Sequence, residues 1–289
     1  GLTVWDLGHD GAQLGGPNLW QDGNFVSKSA PPEAAGAGAQ SDAARHAMDH
    51  AAHMASGAHA EIHRQIHGDN ADAAGVGMAD APASVQDWGA MLFMDTNLSL
   101  NRTQSCATCH DPDFGFVDPR ETDAGRAVSL GDDGASLGDR QAPSAAYARF
   151  SPAFHKTEDG KWKGGQFWDG RAATLADQAK GPPLNPIEMG LPSVQVLAER
   201  LAELPQHRAG LKAFFGIDDP LADPEASYQA MADAIAAFEE TAVFAPFDSK
   251  YDRYLRGEAQ LSDEEELGRL LFFSSQFTNC NICHQLQAG

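Results

Sequence analysis

Cys106-Ala107-Thr108-Cys109-His110 is the stretch on which the reading of this chain turns. Two thiols three positions apart, followed at once by an imidazole, form the C-x-x-C-H signature of covalent c-type haem attachment. The thiols become thioethers to the porphyrin, and the histidine gives the iron one axial nitrogen. The pattern recurs at Cys280-Asn281-Ile282-Cys283-His284, and the two motifs use all four cysteines. The competing reading is a zinc site built from two C-x-x-C pairs. Zinc does not need a histidine after each pair, and its pairs normally stand about 15–20 residues apart, against about 170 here. The sequence therefore predicts two covalently bound haem c groups. Cys106, Cys109, Cys280 and Cys283 would hold them, and His110 and His284 would ligate iron.

Working outward, 289 residues suffice for two small domains. A hydrophobic share of 42% allows a packed core, while 29 Gly and 16 Pro predict many loops. With 41 acidic and 20 basic residues the formal charge is −21, which would repel nucleic-acid phosphates. It permits a partner with a basic contact face. No apolar run approaches the roughly 18 residues of a membrane span. No signal peptide is visible at Gly1, so the expectation is an exported protein in mature form. Covalent haem c implies maturation outside the cytoplasm, and in a Gram-negative bacterium that compartment is the periplasm.

Upstream of the first motif the chain changes character twice. Residues 1–30 set Trp5, Trp20 and Phe25 among glycines and polar residues, and read as an irregular arm docked through its aromatics. Residues 31–83 turn to Ala, Gly, Asp and His. His46, His50 and His53 fall at i, i+4, i+7, and His59, His63 and His67 at i, i+4, i+8, so on a helix each trio shares one face. With Met48 and Met54 nearby the donor set suits copper, and imidazole alone suits zinc or nickel. A solvated low-complexity insert with no specific metal is the plainer alternative. The body begins at Ser84, an N-cap for a helix through Trp88, Met91, Leu92 and Phe93.

Downstream, Asp111-Pro112-Asp113-Phe114-Gly115-Phe116 stops the helix and offers two rings to a porphyrin edge. Residues 119–146 read as loop. Helical patterns follow at 193–204, 208–215 and 225–244, the last with Met231, Ile235, Phe238 and Ala242 as its apolar stripe. Ser262-Asp263-Glu264-Glu265 starts a helix that leads to the second motif. No alternating run predicts a sheet. The fold expected is mostly α. It has an N-terminal extension over 1–83, a first c-type haem domain over 84–224, and the start of a second over 225–289.

These residues resemble a family. Leu92-Phe93, Asp95, Leu98-Ser99, Ser105-Cys106-x-x-Cys109-His110 and Gly115-Phe116 look like the N-terminal haem domain of bacterial di-haem cytochrome c peroxidases and MauG-type enzymes. So do Arg140 with Ala142-Pro143-Ser144, the Phe167-Trp168-Asp169-Gly170-Arg171 block, and the Glu188-Met189-Gly190 turn. Phe247-Asp248, Tyr251, Gly257, Leu261-Ser262, Gly268 and Leu271-Phe272 are similar to the approach to that family's second haem.

The resemblance implies two cytochrome c-like domains. It makes His110 and His284 the proximal ligands, and Trp168 a relay between the haems. It sets Gln178, Pro182 and Glu188 on the open side of the first haem, with Glu188 moving a proton between the oxygens of hydrogen peroxide. Family members also hold calcium between the domains.

Three departures shape the expectation. No histidine lies between His110 and Arg140, where many of these peroxidases carry one that closes the first haem; His155 comes later. This favours an open first haem, as in the MauG branch. Tyr147 stands where the family has an Asn beside calcium. The family also continues well beyond its second motif, so the second domain is expected to be truncated here, without its distal Met or Tyr ligand. The function expected is a periplasmic di-haem enzyme that uses peroxide to oxidise a partner protein. One alternative is a peroxidase fed by a small cytochrome or copper protein. Another is a non-catalytic electron carrier or a metal-handling protein.

Overall fold

The computed structural model describes residues 18–21, 24–27, 81–282 and 284. In chain order come strands β1 (Asn18–Gln21) and β2 (Asn24–Ser27) and helices α1 (Val85–Met94) and α2 (Cys106–Cys109). Strands β3 (His155–Lys156) and β4 (Trp162–Lys163) follow, then α3 (Leu175–Ala179), α4 (Gly181–Leu184), α5 (Val194–Glu203), α6 (Pro205–Phe215) and α7 (Pro224–Glu239). Last are α8 (Lys250–Leu255) and α9 (Asp263–Phe272). The chain is helix-rich, and its described strands form two antiparallel hairpins.

Contacts divide the chain into two units, Glu61–Pro246 and Phe247–Gly289 together with Gly1–Ala60. The first unit thus extends to Pro246. The reason is α7, whose Met231, Ile235 and Phe238 are buried in the core of the first unit. The predicted stripe also overshoots: α7 ends at Glu239, Ala242 is exposed, and Val243 and Phe244 turn inward in its place.

The seam between α1 and α7 organises the first unit. Ser84 caps α1 by accepting from Asp87 N, and the helix buries Trp88, Leu92 and Phe93. Opposite them stand Met231, Ile235 and Phe238, with Leu197, Leu201 and Leu211 from α5 and α6 closing the core. Each such side chain contributes about 1.5–3 kcal/mol by leaving water. The approach depends on Gly89, where a Cβ would lie 1.9 Å from Ala234 O. Phe93, Phe238 and Phe244 meet edge to face at 5.0–5.6 Å, an arrangement their quadrupoles favour.

A buried polar chain fixes the end of α1. Trp88 donates its indole N–H to His207 Nδ1 (3.1 Å), and His207 Nε2 lies 2.9 Å from Asp95 Oδ2. Because Nδ1 accepts, Nε2 carries the ring proton and donates to Asp95. Asp95 also caps the next turn through Asn97 N (2.8 Å). This sets the direction in which the chain leaves α1 for the first motif.

Two expectations are corrected. Phe116 does not offer its ring to a porphyrin edge: it stacks on Phe244 at 4.3 Å inside the core, while Phe114 is exposed. Nor is the arm wholly irregular, since β1 and β2 pair with Trp20 opposite Phe25. Strands of four residues are too short for their sequence to show alternation.

In the second unit Ser262 and Glu265 form a capping box at the start of α9, as the sequence predicts. Among its described residues 247–284 none is buried, and Leu255, Leu267, Leu270 and Ile282 are exposed.

Candidate active site

The first motif forms a single helical turn. Thr108 Oγ1 accepts from Ser105 N (2.9 Å), and His110 N donates to Cys106 O (2.9 Å). Positions i, i+3 and i+4 of such a turn share one face, so Cys106, Cys109 and His110 point the same way. All three line a cavity of about 500 Å³ in the first unit. That volume lies within the range of cofactor pockets. His110 Nδ1 is 3.1 Å from Phe116 O, so Nδ1 donates and Nε2 remains available for a metal. Burial lowers the His110 pKa, which keeps the ring neutral, as iron ligation requires.

Both thiols are held protonated. Burial raises Cys106, with Glu239 adding to it. Burial also pushes Cys109 up to about 11, against the pull of Arg120. Arg120 donates to Cys109 Sγ (3.3 Å) and is gripped by Asp118 at 2.6 Å.

A second wall comes from residues 174–190. Thr174 caps α3 by accepting from Asp177 N, and α3 carries Gln178 to the cavity. Pro182 O accepts from Asn185 N and Met189 N, both at 3.2 Å, which folds the chain into the turn that presents Glu188. Burial raises the Glu188 pKa; Asn185 and Arg171 oppose it without prevailing.

A third wall is the Phe167-Trp168-Asp169-Gly170-Arg171 loop. Gln166 N donates to Ala172 O (2.7 Å), closing the loop at its base. Gly165 sits at φ +78°, and a Cβ there would lie 2.6 Å from Gly170 O, so only glycine fits. Asp169 bridges Arg140 (2.8 Å) and Arg171 (2.9 Å), and these two cations hold its carboxyl down at about 2. The Arg171 guanidinium lies over the Phe167 ring at 3.6 Å. Trp168 lines the cavity while remaining 61% exposed, with its N–H fixed on Gln141 O (2.8 Å).

The predicted residues Cys106, Cys109, His110, Trp168, Gln178, Pro182 and Glu188 thus share one cavity. Cys280 and His284 lie in the second unit, where His284 N donates to Cys280 O (2.9 Å). Cys283 and the six histidines 46–67 fall outside the described residues. Among the described residues, no cluster of three or more His, Cys, Asp or Glu could hold a metal ion. No described helix is long and apolar enough to cross a membrane.

Sequence reasoning named Arg140 and Arg171 within motifs but gave them no role, and it missed Glu239; all three stand on the cavity wall. For Glu239 a signal existed: it continues Met231 and Ile235 at i+8, an acid on an apolar stripe.

Fold and site together define a c-type cytochrome domain whose haem pocket also holds a buried acid. The thiols, the free histidine nitrogen and the largely apolar walls fit covalent haem. Residues 83–260 match the family described as di-haem cytochrome c peroxidase, and the chain belongs to that family. The methylamine utilization protein MauG of Paracoccus denitrificans (strain Pd 1222) is 53% identical over 196 residues, covering 68% of this chain and 50% of that protein. The fold is similar to the diheme peroxidase BthA from Burkholderia thailandensis E264, with TM-score 0.67 and 34% identity over 72% of this chain and 50% of the other. It is also similar to a MauG-like protein associated with microbial copper homeostasis, with TM-score 0.54 and 30% identity over 71% and 53%. The chain spans about half the length of these relatives.

Proposed function

We propose that this protein is a periplasmic di-haem c-type oxidoreductase of the MauG kind. It would reduce hydrogen peroxide at the pocket of Cys106, Cys109 and His110. The electrons would come from side chains of a partner protein, by way of Trp168 and the second attachment site. The observation that carries this reading is the single cavity that joins His110 to Glu188 and Gln178. Among the described residues, His110 is the only histidine on its wall.

Haem bound to Cys106 and Cys109 supplies the iron redox chemistry. The protein's own residues supply the rest. Reducing hydrogen peroxide to two waters consumes two electrons and two protons. Glu188 accepts a proton from one peroxide oxygen and returns it to the other, so that the far oxygen leaves as water when the O–O bond breaks; the two electrons would come through the haem, and two protons from solvent complete the second water. Gln178 orients the peroxide by hydrogen bonding. Pro182 offers no N–H to compete for it, and its carbonyl holds the Glu188 turn. Trp168, exposed at the rim and pinned by Gln141, is the outlet for oxidising equivalents. A peroxidase fed by a small cytochrome or copper protein would use the same pocket and differ only in the electron source.

The test is the visible and EPR spectrum of the oxidised, haem-loaded protein, with haem counted by pyridine haemochrome. Two haems per chain are expected, one of them high-spin and reactive with peroxide. Two low-spin, unreactive haems would instead establish an electron carrier.

A second reading attaches to residues 31–83. Their two histidine trios, with Met48 and Met54, combine with the likeness to a protein associated with copper homeostasis to favour copper binding. Copper titration of the wild type and of a deletion of 36–80 tests it. Copper binding should vanish in the deletion while the haem spectra stay unchanged; equal binding by both would sink the idea.

A further inference from the structure

The cavity wall holds a buried acid that the peroxide chemistry does not use. Glu239 is the last residue of α7, is 5% exposed, and lines the cavity with Cys106 and His110. Its Oε2 is buried without a hydrogen-bond partner. A bare carboxylate in that position would be costly, so the group is held neutral. The C-terminal end of a helix, where the macrodipole is negative, acts in the same direction.

We propose that Glu239 is a redox-linked proton site: its carboxyl takes up a proton when the cofactor on Cys106 and Cys109 gains an electron, and releases it when the electron leaves. The inference rests on haem attachment at that pair, and goes beyond the peroxide reaction by assigning where the compensating charge sits. Oxidised iron adds a positive charge to the pocket, which favours the carboxylate. One electron from a one-electron reductant cancels that charge, and the acid then takes a proton from solvent. The pocket's net charge is the same before and after.

Burial alone puts the Glu239 pKa at about 8, within reach of such a switch near neutral pH. The elements packed on α7 carry Asp87 and Asp95 at the two ends of α1, Asp177 on α3, Arg200 on α5 and His207 on α6. α2 carries the two cysteines. Burial is what raises the Glu239 pKa; its one coupling among these groups is to the Cys106 thiol, whose pKa it raises in turn and which carries no charge once it is a thioether. Asp95 is occupied with His207, and Arg200 with Asn97 and Leu100 O. Next door, Arg149 donates to the Glu240 carbonyl rather than to this carboxylate.

The experiment is a spectroelectrochemical titration of the first haem in the full-length, haem-loaded protein between about pH 6 and pH 9. In the wild type its potential should fall as pH rises, by up to about 59 mV per unit for one proton per electron. Glu239→Gln should flatten the profile, and Glu239→Asp should keep a slope. The propionates of the haem titrate alike in all three proteins, so the difference isolates Glu239. A Gln variant with the wild-type slope overturns the proposal, as does a wild-type potential independent of pH. Should the Gln variant fail to load haem, redox-difference infrared spectra of the wild type decide. A protonated-carboxyl band appearing on reduction supports the proposal, and its absence overturns it. A haemochrome assay showing no haem at the first motif would instead sink the functional reading beneath it.

Discussion

Glu188→Gln should slow the proposed reaction with hydrogen peroxide by about 10²–10⁴-fold and leave the spectrum of the resting protein unchanged. The amide keeps the shape and hydrogen-bonding reach of the acid but cannot carry a proton between two oxygens. The pH profile separates this role from a steric one. Burial raises the Glu188 pKa, so the carboxylate that accepts the first proton accumulates only as pH climbs through that raised value. The wild-type rate should therefore increase with pH across that range, and the Gln variant should lack this limb. Stopped-flow absorbance with peroxide in excess reads both. A Gln variant that keeps the wild-type rate and limb would remove Glu188 from the chemistry.

Trp168→Phe should abolish oxidation of the partner protein while peroxide is still consumed at the first site. Phenylalanine fills much of the same volume but is far harder to oxidise, and it loses the N–H bond to Gln141 O that fixes the ring. The Arg140–Asp169–Arg171 bridge does not involve the indole, so the loop should survive the exchange. Single-turnover mixing with peroxide, followed by addition of the electron donor, separates the two half-reactions. Unchanged donor oxidation would assign the outlet to another residue.

Much of the site was legible because it is local. The thiols and histidine of the first motif, the Ser84 cap and the capping box at Ser262 each depend on residues within one turn, and spacing reveals such features. Glu188 and Trp168 came from the resemblance, because nothing in their own neighbourhood distinguishes a cavity acid or rim indole from ordinary surface residues. The rest needed tertiary contact. The extension of the first unit to Pro246 follows from α7 burying its stripe against α1, and periodicity alone cannot say which unit a helix serves. Phe116 looked like a porphyrin neighbour by sequence distance, yet Phe244, more than a hundred residues away, captures its ring. Glu239 was passed over because it closes an apolar stripe as a charge would at a helix end.

The two attachment turns have different surroundings. The first opens on the cavity between Glu188, Gln178 and Trp168, whereas no described residue from 247 onward is buried. Yet each turn closes with the same 2.9 Å bond from the histidine N–H to the carbonyl of the first cysteine. Each bond joins residues four apart, so it is set within the motif itself. An attachment enzyme that recognises this backbone shape would therefore meet the same local geometry at both motifs, and one recognition mode would serve both.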